Sequence, residues 1–193
     1  MLLDWLSDNY IEVIGVITSL VYLYFSYHQR IWLWPFGILS AAFFIFIFYR
    51  TGFYADMSLQ GYYLVVSIYG WYHWVTGARL SNENRLPVTR TKLAPALILG
   101  MIFFILWAGI YFILVRFTDS TIPVGDAFTT AGGIVGTWML ARKKLENWLV
   151  WILVDTVAAM LYFCKGMYPT VALYIIFTVI AIFGYLRWKK DLK

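Results

Sequence analysis

Seven predominantly apolar runs follow one another along this chain of 193 residues, at 13–27, 32–49, 59–75, 93–115, 125–141, 148–164 and 168–186, each between 15 and 23 residues long. About 20 apolar residues is what one helix needs to cross the hydrocarbon of a bilayer, and backbone groups in lipid must be satisfied within the element itself. The runs therefore predict an all-α integral membrane protein with seven transmembrane helices and a single transmembrane domain spanning 1–193. Composition agrees: 62% of residues are apolar and 13% charged, against roughly 45–50% and about 25% in soluble domains. The short intervals between runs leave no room for a separate soluble catalytic or nucleic-acid-reading domain. Trp and Tyr at the run ends, such as Trp32, Tyr49 and Trp188, suit the membrane interface and compensate for the shorter spans.

The 15 basic residues are punctuation between these runs. With the N-terminus outside, twelve Lys and Arg fall in cytoplasmic segments and three, Arg50, Arg116 and Lys165, fall outside; this positive-inside bias predicts N-out, C-in. Asp4, Asp8 and Glu12 stand where a signal peptide would carry positive charge, so the first segment reads as part of the first span. A formal charge of +5 without a clustered basic face predicts no nucleic-acid partner. One cysteine, Cys164, and two distant histidines, His28 and His73, offer neither disulfide nor metal set, so no metal and no cofactor are expected. No phosphate-cradling glycine loop with its lysine is present, which argues against an ATP-driven pump.

Spacings repeat across the chain. Gly52 precedes Gly70 by 18 residues, and Gly166 precedes Gly184 by the same interval. Trp34 precedes Ala41-Ala42 by seven and eight residues, as Trp151 precedes Ala158-Ala159. The expectation is two parallel three-helix repeats, about 11–76 and 125–188, with a linker helix at about 93–115 giving both the same direction. Repeats of this kind recur in transporters with substrate held near the midplane, and rocking of the halves would give alternating access.

Asp155 lies at the centre of its run, where an isolated charge costs ~2.5–3.5 kcal/mol or more to insert, so it reads as functional and should face protein or water. Helical spacing puts Trp148, Trp151, Asp155, Ala158, Ala159 and Tyr162 on one face, a stripe able to receive a flat cation. Trp34, Gly37 and Ala41 form the matching face of the first half, without the acid. The third run offers Gln60, Tyr63, Ser67, Gly70 or Trp71, and Trp74, and the fifth a small-residue face of Thr129, Thr130, Gly132, Gly133, Gly136 and Thr137. No nucleophile–base pair can be placed at one depth, so an enzyme is not expected; a membrane enzyme or a helical partner subunit is the alternative of another class.

Tyr69-Gly70-Trp71-Tyr72-His73-Trp74, with Gln60 nine residues upstream, and Glu146-Asn147-Trp148-Leu149-Val150-Trp151 resemble the YGWYxW and ENWxxW motifs of the PnuC vitamin transporters. The resemblance implies a three-plus-one-plus-three architecture, SWEET-like but with PnuC connectivity, assembled as a homotrimer. It also implies a uniporter that imports nicotinamide riboside by facilitated diffusion, with uptake driven by cytoplasmic phosphorylation; sister groups carry thiamine or riboflavin. By position it makes Gln60, Trp71, Asn147, Trp148 and Trp151 substrate-binding residues. Ser67, Asp155 and Phe183 depart from the amides of the nicotinamide riboside members. Ser67 and Asp155 join the binding candidates, and the acid favours thiamine as the alternative substrate.

Overall fold

The computed structural model describes residues 10–52, 54–80 and 85–192. Among them are seven helices: α1 Tyr10–Tyr27, α2 Leu33–Thr51, α3 Tyr54–Leu80, α4 Leu93–Phe117, α5 Pro123–Ala141, α6 Asn147–Cys164 and α7 Tyr168–Lys190. Each coincides with one apolar run. Asp4 and Asp8, weighed above for the first segment, and Lys193 lie outside the described residues. Four helices, α2, α4, α6 and α7, are long and apolar enough to cross a membrane by length and composition alone. Among the described residues, α3 and α5 fall short by that measure: Gln60 and Ser67 dilute α3, and glycines and threonines dilute α5.

Local chemistry sets the helix ends. Gly52 closes α2 in the left-handed conformation (φ 78°), its N–H donating to Phe48 O, a role in which a β-carbon would be strained. A proline lies in the first turn of α5 and of α7, where a missing N–H costs nothing. The third helix is 27 residues long and overruns the 17-residue apolar run at both ends, because hydropathy marks the part fit for lipid while the backbone ladder continues through flanking polar residues.

The chain divides into two compact units, one ending at Tyr72 and the other beginning at His73. In the first, Phe25 of α1 stacks on Phe36 of α2, with centroids 5.4 Å apart. A β-carbon on Gly37 would lie 2.9 Å from Ser67 Oγ and 3.5 Å from the Tyr22 ring, and one on Gly70 would enter the ring of buried Trp34.

In the second unit α5 lies against α6 through glycines: Gly125 meets Leu161, Gly132 meets Val154, and Gly136 meets the Trp151 indole. Gly184 of α7 takes the Trp148 ring, 2.7 Å from a built β-carbon. Helix α4 has no buried residue; Phe103 and Trp107 touch Phe128 of α5 edge-on, and Trp107 Nε1 donates to Val124 O at 3.0 Å.

Beyond the helices, the segment before α4 is strapped to the turn between α5 and α6. Thr89 N donates to Lys143 O and Leu145 N to Thr89 O. Thr91 gives both its N–H and its hydroxyl to Glu146 Oε2, each at 2.8 Å. Lys143, counted above as a topology marker, is fully buried: its ammonium lies 4.6 Å from the centre of the Trp74 ring and donates to Leu86 O. Beside it, burial together with the charges of Arg142 and Lys92 lowers the Lys144 ammonium from its usual pKa, and Glu146 pulls the other way.

Local geometry recurs at a fixed interval of 114 residues. Gln29 and Lys143 have left-handed φ of 53° and 52°, and Gly52 and Gly166 have 78° and 71°. At the same interval Trp34 and Trp148 each sit on a glycine, Gly70 and Gly184. This register pairs Trp34 with Trp148, three residues before the Trp151 that the alanine spacing suggested, and pairs Ala41 with Asp155.

Candidate functional site

Helix α6 carries four of the expected binding residues, and its neighbours in the second unit fix how each is presented. Asn147 and Trp148 form its first turn and are 0% and 1% exposed. Asn147 Nδ2 donates to Lys144 O, which ties the side chain to the preceding turn. The Trp148 indole is held on Gly184 and edge-on to Trp188, with centroids 5.5 Å apart at 87°. Its faces are therefore engaged by protein. Asn147 Oδ1 and Trp148 Nε1 are buried without a hydrogen-bond partner among the described residues. One acceptor and one donor, adjacent in sequence, thus remain to be satisfied by a polar group, and leaving them unmet costs about 1–3 kcal/mol each.

One turn on, Trp151 is half-buried against Gly136. The absence of a side chain there lets the indole lie close to α5, a use of small residues common between membrane helices. Asp155 follows after a further turn. It is 6% exposed, and among the described residues no hydrogen bond or ion pair reaches its carboxyl. Two turns beyond, Tyr162 stacks on Tyr174 of α7, with centroids 5.3 Å apart and planes within 16°. At this far end Lys165 pairs with Asp126 at 3.4 Å, and Ser120 donates to the same carboxylate at 2.7 Å.

The stripe read from helical spacing is thus a real face, but its members differ in what they can still do. Trp148 is part of the packing, whereas Trp151 and Asp155 keep unspent capacity: a half-open indole and an unpaired acid one turn apart. The threonines of α5 spend theirs locally, Thr129 and Thr130 on Asp126 O and Thr137 on Gly133 O. The α5 face is therefore a packing surface whose closeness comes from its glycines.

In the first unit, Gln60 is half-buried on α3, Ser67 is buried beside Gly37, and Trp71 is 42% exposed. Each lies on α3, about two turns or one turn from the next. Sequence reasoning missed Lys143, Trp188 and the Tyr162–Tyr174 stack. For the stack a signal existed, since Tyr162 was on the α6 stripe, but its partner's identity depends on how α7 is rotated.

Comparison with known proteins gives consistent results. The profile of the family described as nicotinamide mononucleotide transporter matches residues 9–190. The nicotinamide riboside transporter PnuC of Escherichia coli (strain K12) is 25% identical over 206 residues, covering 93% of this chain and 85% of that protein. The riboflavin/roseoflavin transporter RibM of Streptomyces davaonensis is 28% identical over 185 residues, covering 92% of this chain and 83% of that protein. A crystal structure of the vitamin B3 transporter PnuC superimposes with a TM-score of 0.74 at 18% identity, covering 98% of this chain and 84% of the other. The last match shows the fold.

Proposed function

This chain belongs to the nicotinamide mononucleotide transporter family, whose PnuC members it resembles in fold and sequence, and from that premise we propose that it imports nicotinamide riboside across the membrane by facilitated diffusion. It is a multi-pass membrane protein, and we read it as a carrier and not an enzyme. Uptake is passive, as a uniporter, and net import comes from phosphorylation of the vitamin in the cytoplasm. The proposed orientation is N-terminus outside and C-terminus inside, in an inner membrane, and the proposed assembly is a homotrimer built from protomers of two three-helix repeats with α4 as linker.

The observation that carries the reading is the pairing on α6 of a half-open indole, Trp151, with a nearly buried, unpaired acid, Asp155. A flat ring bearing a permanent positive charge satisfies both. The ring is attracted to an indole face by ~0.5–2 kcal/mol, and its charge neutralises the acid. Asn147 and Trp148 supply an acceptor and a donor for the polar substituents of the vitamin, and Gln60, Ser67 and Trp71 complete the proposed contacts. A phosphorylated vitamin is rejected, because its phosphate loses hydration and meets a carboxylate.

Asp155 also favours a second reading, thiamine, whose thiazolium and aminopyrimidine suit a carboxylate better than a neutral carboxamide does. Purified protein in vesicles, offered labelled nicotinamide riboside, thiamine, riboflavin and nicotinamide mononucleotide without an energy source, tests both. Saturable flux of the riboside supports the first reading and saturable flux of thiamine alone the second. Flux of none, or of the mononucleotide in preference, overturns both.

A further inference from the structure

Four cations lie on two stretches that hydrogen bonds hold together at the start of α4. Arg90 and Lys92 belong to the strap before that helix, and Arg142 and Lys144 to the turn between α5 and α6. Lys144 Nζ donates to Thr89 Oγ1 at 2.9 Å and to Arg90 O at 3.5 Å, which fixes its ammonium beside the strap. Arg142 and Lys92 are near enough for their charges to act on it. Glu146, the acid that acts on the same ammonium, has its Oε2 engaged by the N–H and hydroxyl of Thr91. Among the described residues no ion pair reaches Arg90, Lys92 or Lys144. Arg90, Lys92 and Arg142 are exposed and Lys144 is half-buried. A bias of basic residues towards one side of the membrane accounts for their being on that side, but not for their gathering around one end of one helix.

That helix also presents a long apolar surface. No residue of α4 is buried. Phe103 and Trp107 turn towards Phe128 of α5, and helical spacing puts Leu93, Leu97, Met101, Phe104 and Ile105, each more than 60% exposed, on a different face. From Leu93 to Ile105 is about 18 Å along the axis, close to the depth of one leaflet, which is half of a hydrocarbon core about 30 Å thick. From the charge at the head of this face and from its length, we propose that the start of α4 holds a phospholipid of net negative charge. Its phosphodiester lies among Arg90, Lys92, Arg142 and Lys144, and an acyl chain runs down residues 93–105. Juxtamembrane basic groups attract anionic lipids in this way. A zwitterionic lipid brings its own ammonium to the phosphate and is repelled by the four cations, whereas phosphatidylglycerol, with a glycerol in that place, is not. An anion beside Lys144 also opposes the burial and the like charges that lower its pKa. The site depends on the membrane setting alone and not on which vitamin is carried.

Thermal unfolding of the purified full chain in detergent, with lipid added back, reads the site. Dioleoylphosphatidylglycerol should raise the midpoint saturably, as a ligand of the native state does, and the same amount of dioleoylphosphatidylcholine or of inorganic phosphate should not. Phosphatidylglycerol carrying a diazirine on its acyl chain should cross-link within residues 93–105. Arg90→Gln together with Lys92→Gln, both exposed, should raise the lipid concentration required about tenfold or more. Lys144→Gln should act in the same direction, and Arg116→Gln, at the other end of α4, should change nothing. An equal rise with phosphatidylcholine overturns recognition of the charge. An equal rise with inorganic phosphate and no cross-link within 93–105 gives the cations to a soluble anion and overturns the lipid. A phosphatidylglycerol effect that is unchanged in the Gln variants overturns the assignment to these residues. No rise with any of the three overturns the site, as does a midpoint that climbs with protein concentration while lipid leaves it unmoved, the result expected if a second copy covers α4.

Discussion

A carboxyl that is 6% exposed and takes part in no hydrogen bond or ion pair among the described residues restricts which changes the α6 face tolerates. Trp151→Ala removes the half-open indole while leaving the Gly136 contact surface empty, and we expect vitamin binding to weaken about tenfold or more, from a cation–π term of up to ~2 kcal/mol. Asp155→Asn should weaken binding of a cationic vitamin more than that of riboflavin. Isothermal titration of the purified protein measures both, and unchanged affinity in the two variants would remove this face from the site. Asp155 was legible in the sequence because a lone acid inside an apolar run stands out against its surroundings. Lys143 was not, because a lysine flanked by Arg142 and Lys144 reads as solvated; its burial depends on Trp74 and Leu86, each more than 50 positions away. The different fates of Trp148 and Trp151 were equally hidden, since helical spacing reports a shared face and says nothing of which indole a glycine on the next helix will cover.

At the scale of elements, all seven helices could be read from hydropathy, and the end of α6 at Cys164 agrees to the residue. The ends of α3 could not, because the criterion measures fitness for lipid and α3 continues into polar sequence. The α5–α6 contact is the most sensitive to added bulk. Gly132 faces Val154 with no space for a methyl group, so Gly132→Leu should destabilise by about 1–3 kcal/mol or more, the usual cost of overpacking, seen as a lowered thermal midpoint in detergent. The strap before α4 is sensitive in another way. Glu146 accepts two hydrogen bonds from Thr91, and bonds to a charged acceptor are worth about 1.5–3 kcal/mol. Glu146→Ala should therefore speed proteolytic cutting within residues 85–92 while leaving helix content unchanged by circular dichroism. Equal cutting rates would mean that the strap is held by its backbone bonds alone.

For the whole molecule, the proposed orientation places the α6–α7 turn outside. Cys164, the sole cysteine, is exposed there, so a membrane-impermeant maleimide should label it in intact cells; labelling only after permeabilisation would invert the topology. The 114-residue register was half visible in the sequence: the glycine spacings gave it, but the alanine spacing drew Trp34 towards Trp151. Alanine placement on a helix varies freely by a turn, whereas an indole seated on a glycine does not. Those seats also forecast how the protein would recover from damage. A methyl group introduced at position 184 has to be accommodated by whatever occupies position 148, and one at position 70 by whatever occupies position 34. Selection for restored uptake should accordingly return second-site suppressors in matched couples, smaller rings opposite larger neighbours, each couple confined to its own side of the Tyr72–His73 division.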